Sequence, residues 1–226
     1  MIYDNIVKGK FISRPNRFIA NVEIMGKKEV VHVKNTGRCK ELLTAGATVF
    51  CEKSNNPNRK TQYDLISVYK GKRLINMDSQ APNKVFYEYL QSGKCYKDLT
   101  YIKGEYTYGD SRIDFYCESE KEKFLIEVKG VTLENDGVVM FPDAPTLRGI
   151  KHIDELIKAK ENGYRTAVAF VIQMDNVKYF TPNKATHKDF ADALKRAEKA
   201  GVEILCLDCI VTENTLKIDK KVEYIL

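Results

Sequence analysis

The sequence has no tryptophan, only three histidines and only six prolines among its 226 residues. No apolar run approaches the ~20 residues that a membrane-spanning helix needs. The first ten residues include Asp4 and no apolar segment followed by small residues, so we expect no signal peptide. With 43% hydrophobic residues and no long low-complexity tract, the chain is expected to be ordered, soluble and cytoplasmic, with no membrane partner.

Histidine and cysteine offer little for nucleophilic or zinc chemistry. No spacing typical of a Ser/His/Asp or Cys/His site is present. The six cysteines are scattered, which predicts reduced thiols and no disulfide framework. Cys206 and Cys209 form one Cys-x-x-Cys pair, for which a zinc or redox site is the alternative to two small core residues. Because zinc needs two more ligands at matching spacing, the core interpretation is favoured.

Positive charge is concentrated in the first third of the chain. Residues 1–80 contain 15 Lys and Arg against 7 Asp and Glu, a net charge of +8. Residues 81–226 contain 22 against 24, a net charge of −2. A basic domain attracts polyanions because binding neutralises phosphates and releases counterions. DNA is therefore the expected partner, although a basic solvated face without a partner has the same composition.

Residues 1–80 have the pattern of a small β-barrel. Alternating apolar and polar runs are separated by Pro, Asn and Gly turns, and one helical turn is predicted at 38–43. This pattern indicates an OB-like barrel, a fold that commonly binds single-stranded nucleic acid or oligosaccharide. The predicted strands are 6–14, 17–25, 28–34, 47–53, 62–70 and 73–77. The basic residues near the turns, candidates for nucleic-acid binding, are Arg14, Arg17, Lys34, Arg38, Lys53, Arg59 and Lys60.

Residues 81–226 change to a mixture of helices and strands after a predicted linker at 77–83. The order strand, helix, strand, helix, strand implies parallel crossovers with helices covering a central sheet. The sequence therefore predicts an α+β protein of two domains, with boundaries at 1–80 and 81–226. The predicted helices are 82–90, 144–162 and 187–200, and the predicted strands are 100–106, 111–117, 123–129, 164–173 and 202–207.

The most informative segment is SRIDFYCESEKEKFLIEVKG, in which two strand-like runs flank a charged turn. Alternation places Ile113 and Phe115 on one face of the first run and Asp114 on the other. If the hairpin turns about residues 120–121, residues whose numbers sum to 241 are paired. Asp114 then lies opposite Glu127, and Lys129 shares the face of Glu127.

Two opposed carboxylates repel each other and are costly to bury unless a cation lies between them. Oxygen ligands on a rigid sheet suit Mg²⁺ or Mn²⁺. The ammonium of Lys129 could then stabilise a developing phosphoryl charge, as phosphodiester hydrolysis requires. The alternative is an exposed Glu-Lys ladder on a solvated sheet face.

This arrangement resembles the PD-(D/E)XK, or restriction-endonuclease-like, fold. Asp114 matches the first acidic position, and Glu127-Val128-Lys129 matches the E-x-K motif, although Ile113 stands where that motif has proline. The resemblance implies that Asp114 and Glu127 bind the metal and that Lys129 assists the attacking water. It also implies a supporting glutamate on a preceding helix, for which Glu88 is the candidate and Glu105 the second.

Several longer strings are similar to the sugar fermentation stimulation protein A family. They are SRIDF, IEVKGVTL, FPDAPTLRGIKHIDEL, the late GVEIL and the early Asn35-Thr36-Gly37, and they run in order over nearly the whole chain. The resemblance implies an OB-like N-terminal domain, a nuclease-like C-terminal domain and DNA binding linked to sugar metabolism. It leaves open whether the site cleaves DNA, or whether the protein is a non-catalytic regulator on a vestigial nuclease fold.

Smaller signals complete the candidate site. Asp143 or Thr146 is expected to cap the helix that follows them. Lys151 and His152 lie in the first turns of that helix and either reach a phosphate near the acidic site or form a solvated face. Further nucleic-acid-binding candidates are Asn35, Arg112 and Arg148. A barrel that binds a sugar or a protein remains a third possibility, and the oligomeric state, a homodimer included, stays open.

Overall fold

A computed structural model describes residues 1–35 and 37–226, so Thr36 of the Asn35-Thr36-Gly37 string lies outside the described residues. The N-terminal part is built from six strands. The strands are β1 (Ile6–Asn16), β2 (Ile19–Ile24), β3 (Lys27–Val33), β4 (Thr48–Lys53), β5 (Tyr63–Lys70) and β6 (Arg73–Asn76).

The first five strands close into a barrel. Antiparallel neighbours run in the order β3-β2-β1-β4-β5, and a parallel pairing between β3 and β5 closes the circle. Inward-facing apolar side chains such as Val22, Val31, Val49 and Leu65 are fully buried, because alternate residues of each strand point into the barrel. The predicted OB-like barrel is confirmed. The predicted helical turn is a single turn in which the Leu43 amide donates to the Cys39 carbonyl at 3.0 Å.

The C-terminal part contains two sheets and, in the described residues, three helices. The helices are α1 (Ala81–Gln91), α2 (Leu147–Glu161) and α3 (Lys188–Lys199). The strands are β7 (Leu99–Tyr108), β8 (Ser111–Ser119), β9 (Lys123–Val131), β10 (Leu133–Asn135), β11 (Val138–Phe141), β12 (Arg165–Ile172), β13 (Tyr179–Pro182), β14 (Glu203–Val211) and β15 (Leu216–Lys221).

The main C-terminal sheet is mixed, with the order β15-β14-β12-β9-β8-β7. Its centre is parallel, since β12 pairs in parallel with both β9 and β14, as the predicted crossovers require. Apolar residues of α1 pack on one face of this sheet, and those of α2 and α3 pack on the other. The sequence patterns missed β10, β11, β13 and β15, three of which form a small separate sheet.

The predicted linker at 77–83 is wrong as a linker, because much of it is buried at the junction of the two parts. Met77, Asp78 and Ala81 are each at most 1% exposed. The side-chain amide of Gln173 donates to the Asn76 side chain at 2.8 Å and to the Asp78 carbonyl at 2.9 Å. The barrel and the mixed sheet are thus joined by a packed, hydrogen-bonded segment.

Cys206 and Cys209 both lie in β14 and are buried. Cys206 belongs to the apolar cluster on the α2 side of the sheet, and Cys209 belongs to the cluster on the α1 side. Two sulfur atoms on opposite faces of a sheet cannot bind one metal ion together, which agrees with the core interpretation.

None of the helices in the described residues is both long and apolar enough to span a bilayer.

Candidate functional site

The β8–β9 hairpin has the register that the sequence predicts. The four pairs Phe115–Ile126, Tyr116–Leu125, Cys117–Phe124 and Glu118–Lys123 all sum to 241. The ladder ends there, and Asp114 of β8 and Glu127 of β9 follow directly after its last pair and line one cleft. The register of these four pairs is therefore the one from which the sequence predicts that the two carboxylates lie near each other.

The backbone pairing of β8 with β9 stops before Asp114, and the Asp114 side chain instead contacts β9. The Asp114 carboxylate accepts the Val128 amide at 2.8 Å with one oxygen and the Asn83 side-chain amide at 2.8 Å with the other. The predicted common face of Ile113 and Phe115 is wrong, because Ile113 packs on the α2 side and Phe115 on the α1 side. The strand reverses its faces at Asp114, since the regular alternation stops there.

Glu127 is the most deeply buried acid of the site, at 3% exposed. One oxygen, Oε1, contacts both the Lys129 ammonium and Nδ1 of His152. The other oxygen, Oε2, is buried and has no hydrogen-bond partner among the residues that the structure describes. A buried carboxylate oxygen without a partner is costly, so this atom marks a position where a bound group could compensate it.

The two carboxylates have opposite pKa shifts. Burial, together with the negative charge of Glu127, raises the pKa of Asp114. Burial alone would also raise the pKa of Glu127, but the hydrogen bond from His152 and the charge of Lys129 outweigh it and lower that pKa. Glu127 is thus held ionised, whereas ionisation of Asp114 is opposed by its neighbour.

Both carboxylates open into a cleft of about 830 Å³ between α1, the sheet and α2. Helix α1 contributes Asn83 and Tyr87 to its wall. The expected position of Glu88 is wrong, because this residue is directed away from the cleft and pairs with the N-terminal ammonium of Met1 at 2.8 Å. Asn83 and Tyr87 are four residues apart on α1 and therefore face the cleft together, whereas Glu88 lies on another side of the helix.

Glu105, the second candidate for the supporting acid, lies on β7 at the rim of the cleft. Its side chain is exposed and pairs with Arg112. Its φ of +58° is unusual for a residue other than glycine, and it occurs where β7 faces Asp114. Glu105 is therefore close to the site, and Arg112 is held beside it.

Helix α2 contributes Arg148 and His152 to the opposite wall. Thr146 caps this helix by accepting the Gly149 amide at 2.9 Å, as predicted, whereas Asp143 instead accepts the Arg38 amide from the barrel at 2.7 Å. The cap fixes the start of the helix. Arg148 and His152, one turn apart, therefore share a face, and Nε of Arg148 lies 3.3 Å from Nε2 of His152.

Sequence reasoning placed His152 near the site but missed its contact with Glu127 and missed Asn83 altogether. Each of these contacts joins residues that are 25 or more positions apart. No local motif encodes such a contact, because it depends on how a helix packs on the sheet. Lys151 reaches the Asp110 carbonyl at 2.9 Å and does not line the cleft.

A second depression, the basic groove, lies on the barrel and has a volume of about 700 Å³. Its exposed cations are Arg17, Arg38 and Lys40. Arg14 also lines it, but its guanidinium donates to four backbone carbonyls, among them those of Gly37 and Asn35. Arg14 is therefore a structural residue that holds the groove wall.

The remaining predicted DNA-binding residues divide into two groups. Lys53, Lys60 and Arg148 are exposed. Lys34 and Arg59 both pair with the buried Asp64, and the Asn35 amide donates to the Met77 carbonyl at 3.1 Å. In the second group, the charges of Lys34 and Arg59 are paired with an acid of the barrel, and the Asn35 side chain is held by a backbone carbonyl.

The residues present fit a hard divalent cation bound mainly by Asp114 and Glu127. In the described chain no cluster of three or more His, Cys, Asp or Glu residues could hold a metal. Mg²⁺ nevertheless commonly uses one or two carboxylates and completes its shell with water and substrate phosphate. Each carboxylate oxygen has two lone pairs, so Asp114 can keep its hydrogen bonds and still bind a cation.

Two family models match the chain. The model described as the sugar fermentation stimulation protein RE domain matches residues 80–215, and the one described as the SfsA N-terminal OB domain matches residues 12–77.

Similar proteins cover almost the full length. A sugar fermentation stimulation protein homolog of Clostridium beijerinckii is 58% identical over 226 residues, covering 100% of both chains. The homolog of Ruminiclostridium cellulolyticum is 56% identical over 223 residues, covering 99% of each. Among solved structures, SfsA of Pyrococcus furiosus in complex with Ca²⁺ is 28% identical with a TM-score of 0.91, covering 100% of this chain and 98% of that one.

Proposed function

The chain belongs to the sugar fermentation stimulation protein family, and we propose that it binds DNA through the basic groove and cleaves a phosphodiester in the cleft with a divalent cation. The observation that carries the proposal is the buried, unpartnered Oε2 of Glu127 beside the carboxylate of Asp114. A buried anion with an unsatisfied acceptor, next to a second and half-buried carboxylate, is a costly arrangement unless a cation completes it.

A relative with the same fold supports the choice of cation. The Pyrococcus furiosus structure is described as a complex with Ca²⁺. Ca²⁺, Mg²⁺ and Mn²⁺ share a preference for oxygen ligands, and they differ in size and in how strictly they demand octahedral geometry. We therefore expect this chain to take Mg²⁺ or Mn²⁺ for catalysis and Ca²⁺ as a binding analogue.

The side chains of the cleft have different roles in the proposed reaction. A bound cation would polarise a phosphate oxygen and offset the charge of the two carboxylates. Lys129 is 14% exposed and places its ammonium at the wall, where it stabilises negative charge that develops on the phosphate. His152 holds Oε1 of Glu127 and leaves Oε2 free. Arg148 is exposed at the mouth and is positioned to hold a neighbouring phosphate.

DNA binding rests on the charge distribution and on the exposed cations of the basic groove. The first 80 residues carry the excess positive charge of the chain. Three of their cations, Arg17, Arg38 and Lys40, are exposed around one depression. Such a surface neutralises backbone phosphates, and this contribution to affinity does not depend on base sequence.

The direct test is cleavage of single- and double-stranded DNA with Mg²⁺ or Mn²⁺ by the wild type and by Glu127→Gln. We expect the variant to lose at least about a hundredfold in rate, because it loses a charge at the proposed cation site. Asp192→Asn, an exposed acid on α3, is the matched control and should cut normally. A Glu127→Gln variant that cuts as fast as the wild type would overturn the proposed site.

A second candidate function is DNA binding without cleavage. The Lys129 ammonium contacts Glu127 Oε1, so the charge of this lysine is already compensated. This contact favours the second candidate. A wild type that binds DNA and Mn²⁺ but leaves every DNA substrate intact would select this alternative.

A further inference from the structure

Three depressions of the molecule adjoin one another through shared wall residues, and together they define one path. The basic groove of the barrel and a junction chamber of about 210 Å³ share Gly37 and Ala144 in their walls. The junction chamber and the cleft with Asp114 and Glu127 share Ser79. A ligand that lies along this path would contact the exposed arginines at one end and the acidic site at the other.

The junction chamber limits what can follow the path. Its volume is below the roughly 300 Å³ of the smallest ordinary ligand pockets, and its walls include the backbone of Gly130 and the side chain of Gln173. A segment of one sugar–phosphate backbone is narrow enough for such a chamber. Two paired strands with stacked bases between them are not.

Exposed aromatic rings mark both ends of the path. Phe18 follows the groove residues Asn16 and Arg17, is 52% exposed, and has the Arg17 guanidinium 6.0 Å from its ring centroid. Tyr87 lines the cleft, is 38% exposed and stacks on Phe115 with an interplanar angle of 16°. Aromatic rings beside cations bind unpaired bases by stacking, whereas the bases of a duplex are covered by their partners.

We infer that the path binds single-stranded DNA, with bases stacked on Phe18 and Tyr87 and the backbone crossing the junction chamber into the cleft. This inference rests on the proposed function and names its substrate class. One acid, Asp143, lies in the chamber wall and accepts the Arg38 amide. Its charge opposes the passage of a phosphate and provides a probe of the middle of the path.

The experiment is fluorescence anisotropy with a labelled single strand of about 20 nucleotides, longer than one OB fold covers, and with the matching duplex, in Ca²⁺ to prevent cleavage. We expect the single strand to bind at least about tenfold more tightly than the duplex. Phe18→Ala and Tyr87→Leu should each weaken single-strand binding about fivefold or more. Tyr101→Leu, 48% exposed and outside the path, is the control and should bind as the wild type does.

Asp143→Asn keeps an acceptor for the Arg38 amide and removes the charge. It should strengthen single-strand binding at least about twofold and leave duplex binding unchanged. Duplex affinity equal to or above that of the single strand overturns the inference, as does a Phe18 or Tyr87 variant that behaves like Tyr101→Leu, or an unchanged Asp143→Asn. Absence of binding to both DNAs would instead overturn DNA binding, and the two failures are thereby distinguished.

Discussion

Glu127 is almost fully buried, yet one of its carboxylate oxygens has no hydrogen-bond partner in the described part of the chain. Beside it, Asp114 is held by two hydrogen bonds in a position where its own charge is opposed. Removal of charge at such a site commonly stabilises a protein and abolishes its function, because functional sites store unfavourable interactions.

Asp114→Asn should therefore raise Tm by a few degrees in the absence of divalent cations, since about 1 kcal/mol corresponds to ~2–4 °C for a chain of this size. The raised pKa of Asp114 sets the pH dependence: below that pKa the wild type is protonated there, and the difference in Tm should disappear. Mn²⁺ should raise the Tm of the wild type but not of the variant. Calorimetry with Asp189→Asn as an exposed control checks this, and a variant less stable than the apo wild type at neutral pH would contradict it.

Individual site residues differ in how far the sequence could predict them. Asp114, Glu127 and Lys129 lie on two strands of one hairpin, so the register brings them near one another although the predicted alternation fails at Asp114. Glu88 was misplaced because a helix pattern shows which residues are apolar but not which polar side faces a distant strand. Asn83 and His152 reach the site from α1 and α2 through packing that no local pattern records.

At the scale of elements, the barrel is stabilised by a buried carboxylate that connects two strands and two loop segments next to them. Asp64 of β5 is 4% exposed and contacts His32 of β3, Lys34 and Arg59. Burial alone would raise its pKa, but the hydrogen bond from Arg59 and the charge of Lys34 lower the pKa to about 2. The folded state thus binds the proton of Asp64 less readily than the unfolded chain does.

The ionised Asp64 should contribute about 2–3 kcal/mol to the free energy of unfolding above pH ~4, and this contribution should be lost as the pH falls through about 2. Urea unfolding of the wild type and of Asp64→Asn should show a large stability difference at neutral pH that shrinks over this range. A constant difference down to about pH 2 would show that Asp64 does not act through its charge.

Most elements could be predicted from the sequence because their apolar periodicity is strong. The six N-terminal strands, the three helices of the described residues and the central parallel strands have alternation, helical spacing or a continuous apolar run. β10, β11 and β13 have only three or four residues each, too few to establish a period. β10 and β11 form a short local hairpin, whereas β11 and β13 pair in parallel only because the fold brings distant segments together.

At the scale of the whole molecule, a basic barrel and the cleft that contains Asp114 and Glu127 are joined by a buried junction. The excess positive charge lies on the barrel, and the exposed Arg17 and Arg38 are separated from the carboxylates by the junction chamber. Under the proposed function, one part attracts the polyanion while the other retains two carboxylates that would repel it.

The charge-reversed pair Arg17→Glu and Arg38→Glu should weaken DNA binding more than about tenfold and reduce the slope of log K against log salt by about 2. Lys27→Glu and Lys28→Glu, at two exposed positions at the start of β3, change the net charge by the same amount and form the control. Fluorescence anisotropy over a salt series compares the two. Equal losses in both double variants would show that total charge, and not the basic groove, governs binding.

The central claim is a divalent cation between Glu127 and Asp114, and an anomalous difference map of Mn²⁺-soaked crystals tests it most directly. We predict a peak at ~2.0–2.6 Å from Oε2 of Glu127 and from the Asp114 carboxylate, and no such peak in Glu127→Gln crystals. A wild-type map with Mn²⁺ bound elsewhere, or with no peak between these two carboxylates, would contradict the claim.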